Sequence, residues 1–236
     1  MKLSLRRLNL PTALIQLSLF LRFHYNTLMK NKYLLFDFDG VIADTFIPAF
    51  EINKVICPHI TEDEYRKRFE GNINDWKDLA SKHDENCRHD IDFFAEYKNK
   101  IKDGIKIFPG MKNVVEILVK EYTLILISST ITVLIQEILE INNLSQFFKE
   151  VMGNDVHKSK IEKIKMVFSK YNINSDNCLF ITDTLGDIRE STKVEVGSIG
   201  VSWGFNETKT LIEGKPFRIV NTPEELLIAI SEYFTN

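Results

Sequence analysis

What this 236-residue sequence lacks narrows the field before any motif is read. Cysteine is scarce. Cys57, Cys87 and Cys178 are odd in number, far apart and form no CxxC, so no disulfide framework is expected and the three read as reduced thiols of a cytoplasmic protein. An excess of either charge is also missing: 30 basic residues face 33 acidic ones, a net −3, which gives no electrostatic reason to expect nucleic acid or an anionic membrane as partner. There is no internal repeat, no low-complexity stretch and no apolar run long enough to span a bilayer. The 44% share of hydrophobic residues is enough for a sizeable core in one or two domains.

The first 28 residues differ from the rest. They hold Lys2, Arg6, Arg7 and Arg22 and no acid, leaving 26 basic and 33 acidic groups, a net −7, in the remainder. Ala13 to Phe20 is apolar like a short signal segment, opened by Pro11 and closed by Arg22 and His24, but no small-residue cleavage site follows. We read residues 1–28 as a non-core segment and Met29 as the start of the folded protein, because Lys30-Asn31-Lys32 leads directly into a strand. A secretory signal or a membrane attachment is the alternative.

From Tyr33 onward short apolar runs alternate with amphipathic stretches, the pattern of a parallel α/β sheet. Strands are expected at Tyr33–Phe38, Tyr122–Ile127, Glu150–Met152, Cys178–Thr182, Ser198–Ser202 and Phe217–Val220. Most are continuously apolar, as strands covered on both faces should be. Helices are expected at Met111–Lys120, Thr132–Ile141, Lys160–Tyr171 and Pro223–Phe234, with capping boxes at Ser159/Glu162 and Thr222/Glu225. Residues 46–107 break the alternation. They hold helical patterns rich in charge and aromatics, a capping box at Thr61/Glu64, and Trp76, Phe93, Phe94 and Tyr97 as a possible small core. A structureless connection of that length is rare, so the stretch reads as a helical domain inserted after the first strand, between residues 29–45 and 108–236.

In an open α/β sheet, ligands bind beyond the carboxyl ends of the strands. The expected strand ends present Asp37, Asp39 and Gly40, then Ser128 and Ser129, then Lys158, then Asp183 and Asp187. Carboxylates from separate strands repel unless a hard cation joins them, and oxygen ligands of this kind suit Mg²⁺. Hydroxyls, an ammonium and helix N-termini supply donors for a phosphoryl group. The edge therefore suits metal-assisted phosphoryl transfer.

These residues carry a resemblance. Leu34-Leu35-Phe36-Asp37-Phe38-Asp39-Gly40-Val41 resembles motif I of the haloacid dehalogenase superfamily, and Leu124-Ile125-Leu126-Ile127-Ser128 resembles motif II. Lys158 resembles motif III, and Phe180-Ile181-Thr182-Asp183-Thr184-Leu185-Gly186-Asp187 resembles motif IV. The likeness runs in order from Lys32 to the C-terminus. It is nearest to phosphoglycolate-phosphatase-like and β-phosphoglucomutase-like members with a helical cap. The resemblance implies a doubly wound parallel α/β core and a Mg²⁺-dependent phosphatase of small phosphorylated metabolites. Asp37 would be the nucleophile, forming an aspartyl phosphate, and Asp39 the general acid/base. Asp37, the Asp39 carbonyl and Asp183 would hold Mg²⁺, with Asp187 either on the ion or just behind its ligands, while Ser128, Ser129 and Lys158 would hold the phosphoryl oxygens.

The sequence departs from the family pattern at Thr182, where a glycine or an acid is usual, and at Lys158-Ser159-Lys160, where Lys-Pro is usual. Lys160 is thus a rival for motif III. Lys158 is preferred because a helix capped by Ser159 leaves it on the loop at the active edge. A lysine on the first helical turn opposes the helix dipole, so Lys160 is also expected to have an anionic partner.

Blander readings stand beside these. Asp44 and Thr45 read as a cap for the following helix, one of Ser128-Ser129-Thr130 as another cap, and Trp203 as packing. His83, Cys87 and His89 lack a fourth partner for zinc, and His157 reads as a surface histidine. A phosphomutase using the same residues, or a silent binding protein that kept the fold, are the other functions compatible with the motifs. A chain begun at Met29 should express in soluble form with unchanged kinetics; loss of folding in a circular-dichroism melt would overturn the assignment of residues 1–28.

Overall fold

The computed structural model describes residues 31–75, 87–88, 90–102 and 104–235; Trp76, His83, His89 and residues 1–28 lie outside them. Six strands form one parallel sheet: β1 Tyr33–Phe36, β2 Thr123–Ile127, β3 Glu150–Met152, β4 Cys178–Thr182, β5 Gly197–Val201 and β6 Arg218–Val220. Their order is β3-β2-β1-β4-β5-β6. The first strand is therefore central, and the chain winds outward from it in both directions. The winding reverses between β1 and β4, the crevice where open α/β sheets place their ligands.

The doubly wound α/β expectation holds. Apolar side chains cover both faces, as parallel strands joined by helices require. Leu34, Phe36, Leu124, Leu126, Leu179 and Ile181 point to one face, while Leu35, Ile125, Ile127 and Phe180 point to the other. Helices α4 Met111–Leu118, α5 Thr132–Ile141 and α9 Pro223–Thr235 bury their apolar residues in the first layer, and α6 Lys160–Tyr171 packs Ile164 and Val167 into the second. Two further helices, α7 Leu185–Thr192 and α8 Thr208–Glu213, were not legible as amphipathic patterns. The reason is visible in α7, whose buried side includes Asp187, Glu190 and Ser191 as well as Leu185 and Ile188.

Between β1 and α4 the described chain forms α1 Phe46–Ile56, α2 Glu62–Lys67, α3 Phe93–Lys102 and two short 3-10 turns. Outgoing and returning chains run side by side at Ala43 and Ile107, with Asp44 N–H donating to Lys106 C=O and Phe108 N–H to Ile42 C=O. The helices bury Phe46, Ala49, Ile52, Tyr65 and Tyr97 in the same apolar cluster as one face of the sheet. Aromatic edges meet there: Phe69 and Phe205 lie 4.8 Å apart between ring centroids, and Phe46 and Phe205 5.1 Å.

Local caps agree in part. Thr61 and Glu64 form the expected box, and Thr222 Oγ1 accepts from Glu225 N–H at 3.4 Å, although the Glu225 carboxylate reaches Asn221 N–H instead of Thr222. Ser159 is the residue before α6, but its hydroxyl donates to Glu190 at 3.3 Å and Glu162 pairs with Lys165, so no box closes there. Thr45 precedes α1 without a side-chain cap. Trp203 packs against Phe108 and donates its indole N–H to Val41 C=O, as a packing residue should. No described helix is long and apolar enough to cross a membrane. Phe36 is fully enclosed at the centre of the sheet, so Phe36→Ala should cost about 3–5 kcal/mol in a urea titration. A loss below ~1 kcal/mol would contradict that packing.

Candidate active site

The site begins where β1 ends. Asp37 N–H extends the sheet by donating to Ile181 C=O at 2.9 Å, and Phe38 C=O then collects the N–H groups of Ile42 and Ala43 in a tight turn. Gly40 makes this turn possible with φ +76°. Space demands glycine there as well, because a Cβ would fall 1.9 Å from Asp183 Oδ2. Gly204 approaches the same carboxylate, and a Cβ there would lie 2.3 Å from it. The backbone is thus folded closely around Asp183.

Asp37 and Asp187 share one ammonium. Lys160 Nζ lies 2.8 Å from Asp37 Oδ2 and 2.6 Å from Asp187 Oδ2, and all three side chains are buried. Lys158, the lysine preferred from the sequence, is instead exposed at the rim of the cavity and offers its carbonyl to Asn74. Ser159 does precede the helix, as expected. However, Cα–Cβ bonds in a helix tilt toward its N-terminus, so a first-turn side chain reaches back over the strand ends. Thr182, the other departure from the family pattern, donates its hydroxyl to Asp187 Oδ2 at 2.7 Å.

Charge and burial set the protonation of this cluster. Burial, together with the neighbouring Asp187 and Asp183 carboxylates, pushes Asp37 well above the usual carboxylate range, although Lys160 opposes it. Asp183 is pushed up to about 7, chiefly by burial, against the lowering effect of the Phe205 N–H at 2.6 Å. Burial would also raise Asp187, but the Lys160 ammonium and hydrogen bonds hold it below the usual range. Lys160 is raised, its carboxylate partners outweighing desolvation.

Asp39 is half-buried and accepts from three hydroxyls: Tyr97 at 3.0 Å, Ser128 at 3.1 Å and Thr130 at 2.8 Å. Ser128 is fully buried on Asp39, while Ser129 lines the cavity. None of Ser128, Ser129 and Thr130 caps α5. Ile131 occupies that position, and Thr132 N–H is met by Asp155 at 2.6 Å instead. Tyr97 and Thr130 were missed because nothing in sequence spacing links them to Asp39.

A magnesium ion is tested by the donors that remain. Among the described residues Asp183 Oδ1 is buried with no hydrogen-bond partner, and Asp37 and Asp187 share the Lys160 ammonium beside it. Among the described residues no three acidic, histidine or cysteine side chains converge to hold a metal by themselves. Mg²⁺ takes one or two carboxylates and fills its shell with other oxygens, and the unpartnered Asp183 Oδ1 beside Asp37 offers that chemistry. The residues fit the ion. Zinc at His83, Cys87 and His89 lies largely outside the described residues.

Asp37, Asp39, Lys160 and Asp187 open onto a cavity of about 630 Å³, walled on the far side by Tyr65, Phe69, Phe93 and Tyr97. A family model described as haloacid dehalogenase-like hydrolase matches residues 34–201. The chain belongs to the haloacid dehalogenase-like hydrolase family. It is 20% identical over 205 residues to a phosphoglycolate phosphatase of Synechococcus elongatus, covering 84% of this chain and 97% of that one. It is 25% identical over 215 residues to the pyrophosphatase PpaX of Listeria welshimeri, covering 86% and 98%. A haloacid dehalogenase-like hydrolase structure from Streptococcus pneumoniae superposes with a TM-score of 0.67 at 18% identity, over 84% of this chain and 98% of that one. In this hydrolase, Lys160→Met should lower turnover by about 10²–10³-fold. Lys158→Met should keep it within about twofold, the span of an ordinary exposed substitution. The reverse ranking in steady-state kinetics would restore Lys158.

Proposed function

We propose that the protein is a Mg²⁺-dependent phosphatase of small phosphate monoesters that works through an aspartyl phosphate on Asp37. The observation that carries this reading is the convergence on one cavity of buried Asp37, hydroxyl-bound Asp39 and the buried Lys160 ammonium. Relatives named for phosphatase activity over nearly their whole length support it. Bound by Asp37, the Asp39 carbonyl and Asp183, Mg²⁺ would offset the negative charge of the phosphoryl oxygens.

Asp37 Oδ attacks phosphorus as the bond to the ester oxygen breaks, and Asp39 gives that oxygen its proton. Lys160 keeps the Asp37 carboxylate oriented and balances Asp187. Water then attacks the aspartyl phosphate, Asp39 takes the proton, and phosphate leaves as the Asp37 carboxylate is restored. We assign residues 46–107 the role of a cap that encloses substrate, because α1 and α3 wall the cavity opposite the strand ends. A phosphomutase would return the phosphoryl group to a sugar phosphate instead, and release of inorganic phosphate separates the two.

The test is direct. Phosphate release from a panel of small phosphorylated metabolites should need Mg²⁺ and stop in excess EDTA. Asp39→Asn should lower turnover by about 10²–10⁴-fold. With an aryl phosphate, that variant should accumulate phosphoenzyme, seen as one added phosphate by intact mass after acid quench. Asp37→Asn should show none; an adduct on it, or full turnover in EDTA, would overturn the mechanism.

A further inference from the structure

Lys163 stands one helical turn beyond Lys160 and is fully buried, yet among the described residues it pairs with no carboxylate. Its ammonium donates to Ser128 C=O at 2.5 Å and to Gly153 C=O at 3.3 Å. An interior lysine paired only with carbonyls is costly, and an apolar residue would fill the place at less expense in desolvation. Burial, and then the adjacent Lys160 ammonium, push Lys163 down to about 8.

The two carbonyls belong to the loops that leave β2 and β3. Those loops are already stitched together by Ser128 N–H to Met152 C=O, Asn154 N–H to Thr130 C=O and Gly153 N–H to Thr132 Oγ1. The geometry of the Ser128–Ser129 peptide gives the lysine a purpose. Peptide C=O and N–H point in opposite directions across a planar trans unit, and no described peptide is cis. With Ser128 C=O held beneath the loop by Lys163, Ser129 N–H is turned to the opposite side. Ser129 lines the cavity shared by Asp37 and Lys160, and its N–H has no hydrogen-bond partner among the described residues.

We propose that Lys163 is a positioning residue that pins the Ser128 and Gly153 carbonyls and thereby aims the Ser129 N–H at the phosphoryl oxygens of the substrate. This rests on the phosphatase reading of the site. A main-chain donor fixed in advance toward developing negative charge needs no reorganisation during reaction, and loss of one such donor is worth about 10²–10³-fold in rate. Lys163 touches no reacting atom and acts through the peptide alone.

Three measurements on the full chain with Mg²⁺ test it. Lys163→Met should fold with an unchanged thermal midpoint, lower kcat by about tenfold or more and weaken inhibition by inorganic phosphate in parallel. Lys163→Gln should stay within about threefold of the native kcat, because a neutral amide still donates to both carbonyls. In ¹H–¹⁵N spectra of the native protein, the Ser129 amide should shift as inorganic phosphate is added. Native kcat and phosphate inhibition in a folded Lys163→Met protein would overturn the proposal. So would a Ser129 resonance unmoved by saturating phosphate, and this reading decides alone if Lys163→Met fails to fold. Absence of ester hydrolysis by the native protein would instead count against the phosphatase function, while the phosphate titration would still report on the Ser129 donor.

Discussion

The site depends on one ammonium held between two carboxylates inside the protein. Lys160 lies within 2.8 Å of both Asp37 and Asp187, and nothing else in the described cluster carries positive charge to those oxygens. Without it, the Asp37 and Asp187 carboxylates would be buried with no ion-pair partner, which is strongly destabilising. The pair works because β3 delivers the chain to the active edge and α6 starts there. Thr182 and Lys160 together fix Asp187 on one oxygen, which leaves Asp183, wrapped by Gly40 and Gly204, with the buried oxygen that has no partner.

Much of this was readable in advance. The apolar runs mark every strand to within two residues, because parallel strands buried on both faces are continuous in sequence. Asp37, Asp39 and Asp183 reach the site because each follows such a run directly. Lys160 is the rival that the sequence leaves open, and its expected anionic partners are Asp37 and Asp187; a cap at Ser159 marks the helix start but not how far a first-turn side chain reaches back over the strand ends. The signal was available. Lys160, Lys163, Ile164 and Val167 occupy spacings i, i+3, i+4 and i+7, the buried stripe of a helix, and two lysines in that stripe need partners. Tyr97 and Thr130 were not readable, since their contacts with Asp39 span 58 and 91 residues; that of Tyr97 depends on how the inserted helices close, and that of Thr130 on the pairing of β1 with β2. α7 escaped because function places acids on its buried side, where an apolar rhythm would otherwise betray a helix.

The inserted helices are tied to the core by polar contacts close to the chemistry. Asn72 donates to Glu190, Asn74 to the Lys158 carbonyl, Arg189 to the Glu70 carbonyl and Asn206 to the Arg66 carbonyl. Arg66 in turn reaches the Phe205 carbonyl. Gly186 allows the closest of these approaches, for a Cβ there would fall 2.3 Å from Gly71 C=O. Helix α7 therefore carries Asp187 into the site and offers its outer turn to the insertion.

Tyr97 belongs to this insertion, and its phenol is one of the three donors on Asp39. Burial and the facing Asp39 carboxylate hold that phenol well above its ordinary range, so it stays a donor at any physiological pH. If the helices swing out to admit a substrate, Asp39 gives up a donor to solvent and regains it only on closure. Any movement of the insertion and the hydrogen bonding of Asp39 would then be mechanically joined. An open enzyme is an unfinished one, and water that wanders into it meets a carboxylate lacking the company it has when the cavity is shut.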